Sequence, residues 1–395
     1  MDPEAFAALR ERIRSALLAD APAALDASSR WERRVRVREA VARLLERDGL
    51  ILSARDAARL VGEIADTITG LGPLEQLMRD PAVTEVMVNG PERIYVERDG
   101  RIERVRLTLE GDAAVRHLID RVVAPLGLHV DEGRPWVDAR LPDGSRVHAI
   151  IPPLAVNGPT LTIRRFARVP LASDDLIRLG TIDSGLLEHL CHGVVTRKNL
   201  LISGGAGAGK TTLLGVLSAS IPSGERIITI EDAAELRLAQ EHVVSLETRP
   251  PNIEGRGEVS VRDLVRNALR MRPDRIVVGE VRGPEAFDML QAMNTGHTGS
   301  MSTIHANGAT DALARLEAMV LMANTGLPLA AVRRQIASAV HIVAHMVRAA
   351  DGARRVAEVL HVHGLQGDEL LLAPAFAPPP DLGSQNGTKL RPEWL

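Results

Sequence analysis

The chain has 395 residues, enough for roughly two or three domains. A formal net charge of −3 provides no global positive field for nucleic acid, and aromatics at 2% argue against stacking platforms for single strands. Hydrophobic residues at 45% exclude disorder as the default, and the one cysteine, Cys191, excludes an internal disulfide framework and a C-x-x-C zinc site.

Residues 1–69 read as a charged helical extension. The opening MDPEAFAALRERIRSALLAD carries charges throughout and lacks the apolar centre of a signal peptide. No run of about 18 uncharged apolar residues occurs, so no membrane span is expected and the expected location is the cytoplasm. Between Arg30 and Arg47, seven arginines face three glutamates, with Val37, Val41, Leu44 and Leu45 at helical spacing. That pattern fits a solvated helix with one buried stripe, or a docking surface for an acidic partner or anionic membrane.

The texture changes near Gly70-Leu71-Gly72-Pro73. Residues 70–168 carry strand-like runs at Val86–Val88, Arg93–Val96, Val147–Ile151 and Thr160–Ile163, punctuated by Asp99-Gly100 and Asp143-Gly144 turns. With a helix from roughly Asp112 to Ala124, this predicts a small α+β domain. Residues 169–183 read as a linker. From Ser184 to about residue 365, strands alternate with helices, the signature of a parallel α/β sheet. Residues 366–395, with Pro374 and Pro378-Pro379-Pro380, read as a loosely ordered tail.

Within the α/β region, Gly204-Gly205-Ala206-Gly207-Ala208-Gly209-Lys210-Thr211 matches the phosphate-binding loop pattern G-x-x-x-x-G-K-[ST]. The apolar run 198–203 precedes it as a buried strand, and a helical segment opens at Thr212. Strand, glycine loop and helix are the context the pattern requires. The glycines let backbone N–H groups close on a phosphate, and the helix N-terminus adds positive potential. The nucleotide-binding set is therefore Gly204 through Gly209, including Gly205, Ala206, Gly207 and Ala208, with Lys210, Thr211 and Thr212. Lys210 would contact the β- and γ-phosphates, and the Thr211 hydroxyl would ligate Mg²⁺.

Two later strands end in acids. Arg226–Ile230 runs into Glu231-Asp232, with Glu235 beyond, and acids there either serve the nucleotide crevice or cap the following turn. Arg275–Val278 runs into Gly279-Glu280, so a glycine stands where an aspartate is usual and Glu280 would reach Mg²⁺ through water. The stretch Thr295–Asn307 then places His297 and His305 around a Gly/Ser/Thr-rich turn. A metal pair there lacks a third ligand; hydrogen bonding to a γ-phosphate suits them better, and either could be structural.

The loop, Ile-Glu-Asp-Ala-Ala-Glu (230–235), Val-Gly-Glu-Val-Arg-Gly (278–283) and Thr-Gly-His…Thr-Ile-His-Ala-Asn look like the Walker A, Asp box, atypical Walker B and His box of secretion ATPases. These are the motors of type II and type IV secretion and pilus assembly. Within that superfamily the chain resembles the CpaF/TadA branch, the Tad/Flp pilus assembly ATPases. The likeness runs from about Leu71 to Val359 and includes Gly-Leu-Gly-Pro-Leu-Glu (70–75), Val-Asp-Ala-Arg-Leu-Pro-Asp-Gly-Ser-Arg-Val (137–147), Arg-Pro-Pro-Asn-Ile-Glu-Gly (249–255) and Leu-Arg-Met-Arg-Pro-Asp-Arg (269–275).

The resemblance implies an α/β fold, a RecA-like P-loop NTPase domain joined to a smaller α+β N-terminal domain and a helical extension. It implies ATP and Mg²⁺, a hexameric ring, an inner-membrane platform as partner, and a location at the inner face of the cytoplasmic membrane. Glu231 is implied as the base or water-positioning group and Glu280 as part of the Mg²⁺ shell. His297 and His305 are implied nucleotide-state sensors. Arg140, Arg146, Arg164 and Arg165 match positions of γ-phosphate-contacting fingers, and each could equally be a surface arginine. Each site would lie between the two domains, and hydrolysis would rotate the small domain to drive the platform. The four-cysteine zinc segment of type II and type IVa extension motors is absent. His148 and His341 depart from the branch at peripheral positions. A type IV secretion motor, a nucleic-acid motor and a nucleotide-gated scaffold without turnover are the competing readings.

Overall fold

The computed structural model describes residues 2–20, 30–98, 100–141, 143–165, 171–249 and 256–376. Asp99, positions 169–170 of the expected linker, residues 250–255 and Pro378–Pro380 lie outside them. The chain divides into two compact units, residues 1–167 and 168–395.

The first unit opens with α1 (Pro3–Asp20), α2 (Arg30–Arg47) and α3 (Ala54–Thr69). Val37, Val41, Leu44 and Leu45 are buried against Ile13 and Leu17 of α1 and Leu60 and Ile64 of α3. The apolar stripe of α2 is thus the seam of a helical cluster. Ser53 caps α3 by accepting the Asp56 N–H at 3.0 Å, and Asp66 of α3 pairs with Arg34 of α2.

After α4 (Glu75–Arg79) come β1 (Val83–Asn89), β2 (Ile94–Arg98), β3 (Arg101–Arg104), α5 (Gly111–Val123), β4 (Trp136–Arg140), β5 (Arg146–Ile150) and β6 (Thr160–Arg164). The strands form an antiparallel sheet in the order β3-β2-β1-β6-β5-β4. Strand residues alternate faces. Val86, Val88, Ile94, Val96, Val147, Ala149, Leu161 and Ile163 share a core with Val115, Leu118, Ile119 and Val122 of α5. The opposite face carries the polar half of the alternation, including Glu85, Arg146 and Arg164.

The second unit runs α6 (Ser173–Arg178), α7 (Ser184–Val195), β7 (Leu200–Gly204), α8 (Lys210–Ser218), β8 (Ile227–Glu231), β9 (Val243–Glu247), α9 (Val261–Ala268), β10 (Arg275–Val281), α10 (Glu285–Asn294), β11 (Met301–His305), α11 (Ala309–Met322), α12 (Leu329–Ala339), β12 (Ile342–Arg348), β13 (Arg354–Gln366) and β14 (Glu369–Phe376). Its sheet order is β14-β13-β12-β7-β11-β10-β8-β9. β12, β7, β11, β10, β8 and β9 are parallel, and β13 and β14 add antiparallel edges.

Parallel sheets need both faces covered, and the strands are apolar on both. Leu201, Ile228, Ile276, Val278 and Ile304 pack with α9 to α12, whereas Leu200, Ile202, Val277 and Met301 pack with α7 and α8. The result is a three-layer α/β unit of the RecA-like P-loop kind. Residues 171–183, expected as linker, hold α6, whose Leu176 joins the α7–α8 core. The sheet continues past the expected edge at 365, and Pro374 sits within β14. There its missing N–H is tolerated because β14 is an edge strand. Among the described residues no helix is long and apolar enough to cross a membrane.

Candidate nucleotide site

β7 delivers the glycine loop at its C-terminal end, between β11 and β12. Gly204 is the tightest point, since a Cβ built there would lie 2.4 Å from the Met346 carbonyl oxygen of β12. No side chain fits without moving backbone. Gly205 to Gly209 then turn into α8, which opens at Lys210 with Thr211 and Thr212 in its first turn. The loop therefore presents its N–H groups at a helix N-terminus, the geometry that binds phosphate.

Lys210 is buried and its Nζ donates to the carbonyls of Gly204 and Gly205 at 3.1 and 3.0 Å. It also lies 3.4 Å from His305 Nε2, at the C-terminal end of β11. His305 Nε2 in turn is 2.8 Å from Glu280 Oε1 on β10. The other Glu280 oxygen accepts from Arg282 Nε at 2.7 Å, and Arg282 Nη1 reaches Asp232 at 3.2 Å. A continuous chain of ionisable groups, Lys210–His305–Glu280–Arg282–Asp232, thus crosses the ends of β7, β11, β10 and β8.

Burial holds the His305 imidazole below its ordinary range and outweighs the pull of Glu280; Lys210, Arg282 and Arg315 act in the same direction as burial. Burial alone would lower the Arg282 guanidinium, but Glu280, with Asp232 and Glu285, raises it.

Glu231 ends β8 and is buried. Its oxygens accept the backbone N–H groups of Glu235 at 3.0 Å and Leu236 at 3.1 Å, which fold the following segment over it. Glu231 also explains Gly279. A Cβ at position 279 would lie 2.8 Å from Glu231 Cγ, so an aspartate there cannot coexist with the carboxylate in this position.

The donor set suits a hard cation beside a triphosphate. Glu280 Oε1 is buried and makes no hydrogen bond, its approach to His305 being close but misdirected. A buried carboxylate oxygen without a donor is costly, and a metal-bound water would supply one. Thr211 offers a hydroxyl, and hydroxyl and carboxylate oxygens are the ligands Mg²⁺ prefers.

His297 is not brought to this cluster. It precedes β11, whose far end carries His305, so the strand's length, about 13 Å at ~3.3 Å per residue, separates it from the loop within the chain. Both its ring nitrogens are buried without hydrogen-bond partners, and burial lowers its pKa against the pull of Asp274. The two histidines therefore cannot share an ion, and no group of three metal-ligating side chains converges among the described residues.

The four arginines lie in the first unit. Arg140, Arg146 and Arg164 are directly paired across β4, β5 and β6, forming one lateral row. Arg165 is engaged differently: its Nη1 donates to the carbonyls of Asp80 and Val83, pinning the start of β1. His148 bonds Asp138 at 2.8 Å, and His341 Nδ1 accepts the Asn199 N–H at 3.0 Å. Both histidines serve the sheets.

Sequence reasoning assigned no role to Arg282, Arg348 or Arg354. Arg282 carried a signal, since two residues past Glu280 on a strand places it on the same face. Arg348 and Arg354 carried none, because a hairpin far along the chain brings them to the loop.

Residues 67–372 match the family described as "Type II/IV secretion system protein". A putative conjugal transfer protein of Mycobacterium tuberculosis is 41% identical over 308 residues, covering 76% of this chain and 86% of its own length. The conjugal transfer protein TrbB of Rhizobium radiobacter is 35% identical over 318 residues, covering 80% and 94%. Among solved structures, the Legionella pneumophila ATPase DotB superposes with a TM-score of 0.55 at 20% identity, covering 73% of this chain and 79% of that one. With its loop, strand-end acids and fold, the chain belongs to the type II/IV secretion system protein family and is an ATPase of it.

Proposed function

We propose that this protein is an ATP-hydrolysing ring motor, a hexamer working at the cytoplasmic face of the inner membrane, that powers a Tad/Flp-type pilus through a membrane platform. The observation carrying the motor chemistry is the chain from Lys210 through His305 and Glu280 to Arg282, which places a cation, an imidazole and a carboxylate at the phosphate loop. The motif set quoted from 230 to 307 supports the pilus branch. The conjugal transfer relatives favour a second reading, a type IV secretion traffic ATPase.

In this reading, the loop amides from Gly204 to Gly209 and Lys210 bind the β- and γ-phosphates, which draws Lys210 away from the Gly204 and Gly205 carbonyls. Thr211 and Glu280 would hold Mg²⁺, which neutralises developing phosphate charge. Glu231, held by two backbone N–H groups, orients or deprotonates the attacking water. His305, linking Lys210 to Glu280, reports whether a γ-phosphate is present. Arg140, Arg146 and Arg164 supply finger cations, whereas Arg165 stays with its carbonyls. Bond breaking at the γ-phosphate spreads charge over its oxygens, and such cations are worth ~10³–10⁵ in rate.

Lys210→Ala should lose nucleotide binding and turnover together. Glu231→Gln should keep ATP binding while kcat falls by roughly 10²–10⁴-fold. Both are measured by phosphate release and isothermal titration; full turnover in Glu231→Gln removes its role. A gene deletion scored for surface pili by electron microscopy and for DNA transfer by mating separates the two cargo readings.

A further inference from the structure

The loop has two flanks, because β7 is bordered by β11 on one side and β12 on the other. The β11 flank leads to His305, Glu280 and Asp232, as described above. The β12 flank ends in two arginines that no motif includes. Arg348, the last residue of β12, stands directly opposite Arg354, the first of β13. The pair two residues further in, Met346 and Val356, is buried in the core beneath α7 and α8. By strand alternation, Arg348 and Arg354 emerge on the same face, just past the end of β7.

Both arginines are exposed and both border the glycine loop. Arg354 Nε donates to the Gly207 carbonyl at 2.9 Å. A Cβ built on Gly207 would lie 3.3 Å from Arg348 Nη1, and one on Gly209 would lie 3.2 Å from Arg354 Cδ. Two guanidinium groups directly opposite one another concentrate positive charge and N–H donors beside the loop.

A nucleoside triphosphate has two chemically different ends. Its γ-phosphate must face the groups that handle water and metal, and these lie on the β11 side. The α-phosphate, ribose and base therefore leave the loop on the other flank, towards β12 and β13. Guanidinium groups suit that end, binding phosphate oxygens through paired N–H donors and stacking on the face of a purine.

We propose that Arg348 and Arg354 clamp the nucleoside end of the bound nucleotide, gripping the α-phosphate and purine nucleoside common to ATP and ADP. This rests on the glycine loop being the nucleotide site. The test uses the full-length chain carrying Arg348→Ala, Arg354→Ala and both together, with Lys210→Ala as reference. Binding of ATP, ADP and inorganic pyrophosphate is measured by isothermal titration, alongside steady-state turnover.

Loss of charge-assisted hydrogen bonds should raise the Kd of ATP and ADP together, by roughly 10–100-fold in the double variant. Pyrophosphate should bind as in the wild type, and kcat/KM should fall far more than kcat. Unchanged ADP affinity overturns the clamp. So does weakening of ATP alone, which would place the arginines at the γ-phosphate. Parallel loss of pyrophosphate binding also overturns it, since Arg354 would then merely shape the loop. Should the wild type bind ADP and pyrophosphate no better than Lys210→Ala, the site reading itself fails.

Discussion

At the scale of single residues, Gly279 and Glu231 define each other. Strand β10 ends beside β8 in parallel register, and the Glu231 side chain occupies the space a Cβ at 279 would need, 2.8 Å from its own Cγ. The sequence places a glycine where an aspartate is usual; packing supplies the reason. Gly279→Ala should therefore displace Glu231 from the Glu235 and Leu236 N–H groups. The expected cost is ~1–3 kcal/mol of stability from overpacking. Turnover should fall at least tenfold while ADP binding is kept, as thermal melts, phosphate release and titration would measure. A variant as active as the parent would show that Glu231 need not hold this position.

At the scale of elements, the ends of the second sheet divide the labour. The C-terminal strand ends carry the nucleotide chemistry, as open parallel sheets generally do, while the N-terminal ends carry buried polar ties. Asn199, just before β7, accepts the N–H groups of Gly299 and Ser300 and donates to the Ala339 carbonyl, joining three segments. Arg275, fully buried at the start of β10, pairs with Glu225 and donates to the Val194 and Gly299 carbonyls. Burial pushes the Glu225 carboxyl up, but Arg275, with Arg197, outweighs burial and holds it below the usual carboxylate range. A depressed carboxyl stabilises the fold above its unfolded value, ~4.3, and that stability is lost as pH falls through the folded value. Arg275→Met should cost ~3–5 kcal/mol at pH 7 by leaving Glu225 poorly paired. The gap between the two melting temperatures should narrow below about pH 5; a gap independent of pH would mean the ion pair contributes nothing.

At the scale of the whole molecule, the cations are divided between two compact units. The second unit holds Lys210, Arg282, Arg348 and Arg354, and the first holds the row of Arg140, Arg146 and Arg164. Three guanidinium groups paired side by side concentrate N–H donors and positive charge in one row, which suits a multiply charged anion. Replacing all three with Ala should lower kcat by roughly 10³-fold or more, with ADP affinity within about twofold of the parent. This is the opposite split from that expected for Arg348 and Arg354. If ADP affinity falls instead, the row serves binding rather than turnover. A hexameric state should also make specific activity rise with protein concentration, in step with mass measured by light scattering.

Much of the fold was legible because it is local. The loop sequence 204–211, the strand before it and the helix after it are neighbours in the chain, and a glycine pattern, a continuous apolar run and a helical period reveal them without reference to anything distant. The strand-end acids Glu231 and Glu280 were visible for the same reason. What sequence alone could not determine is which separate segments meet. His297 and His305 share one short stretch, yet a strand is straight, so β11 separates them to opposite ends of the parallel strands. Arg348 and Arg354 lie far from the loop in sequence, yet the antiparallel turn after β12 returns them to Gly207. Periodicity fixes which face a residue takes; only strand order and register decide which residues share an end.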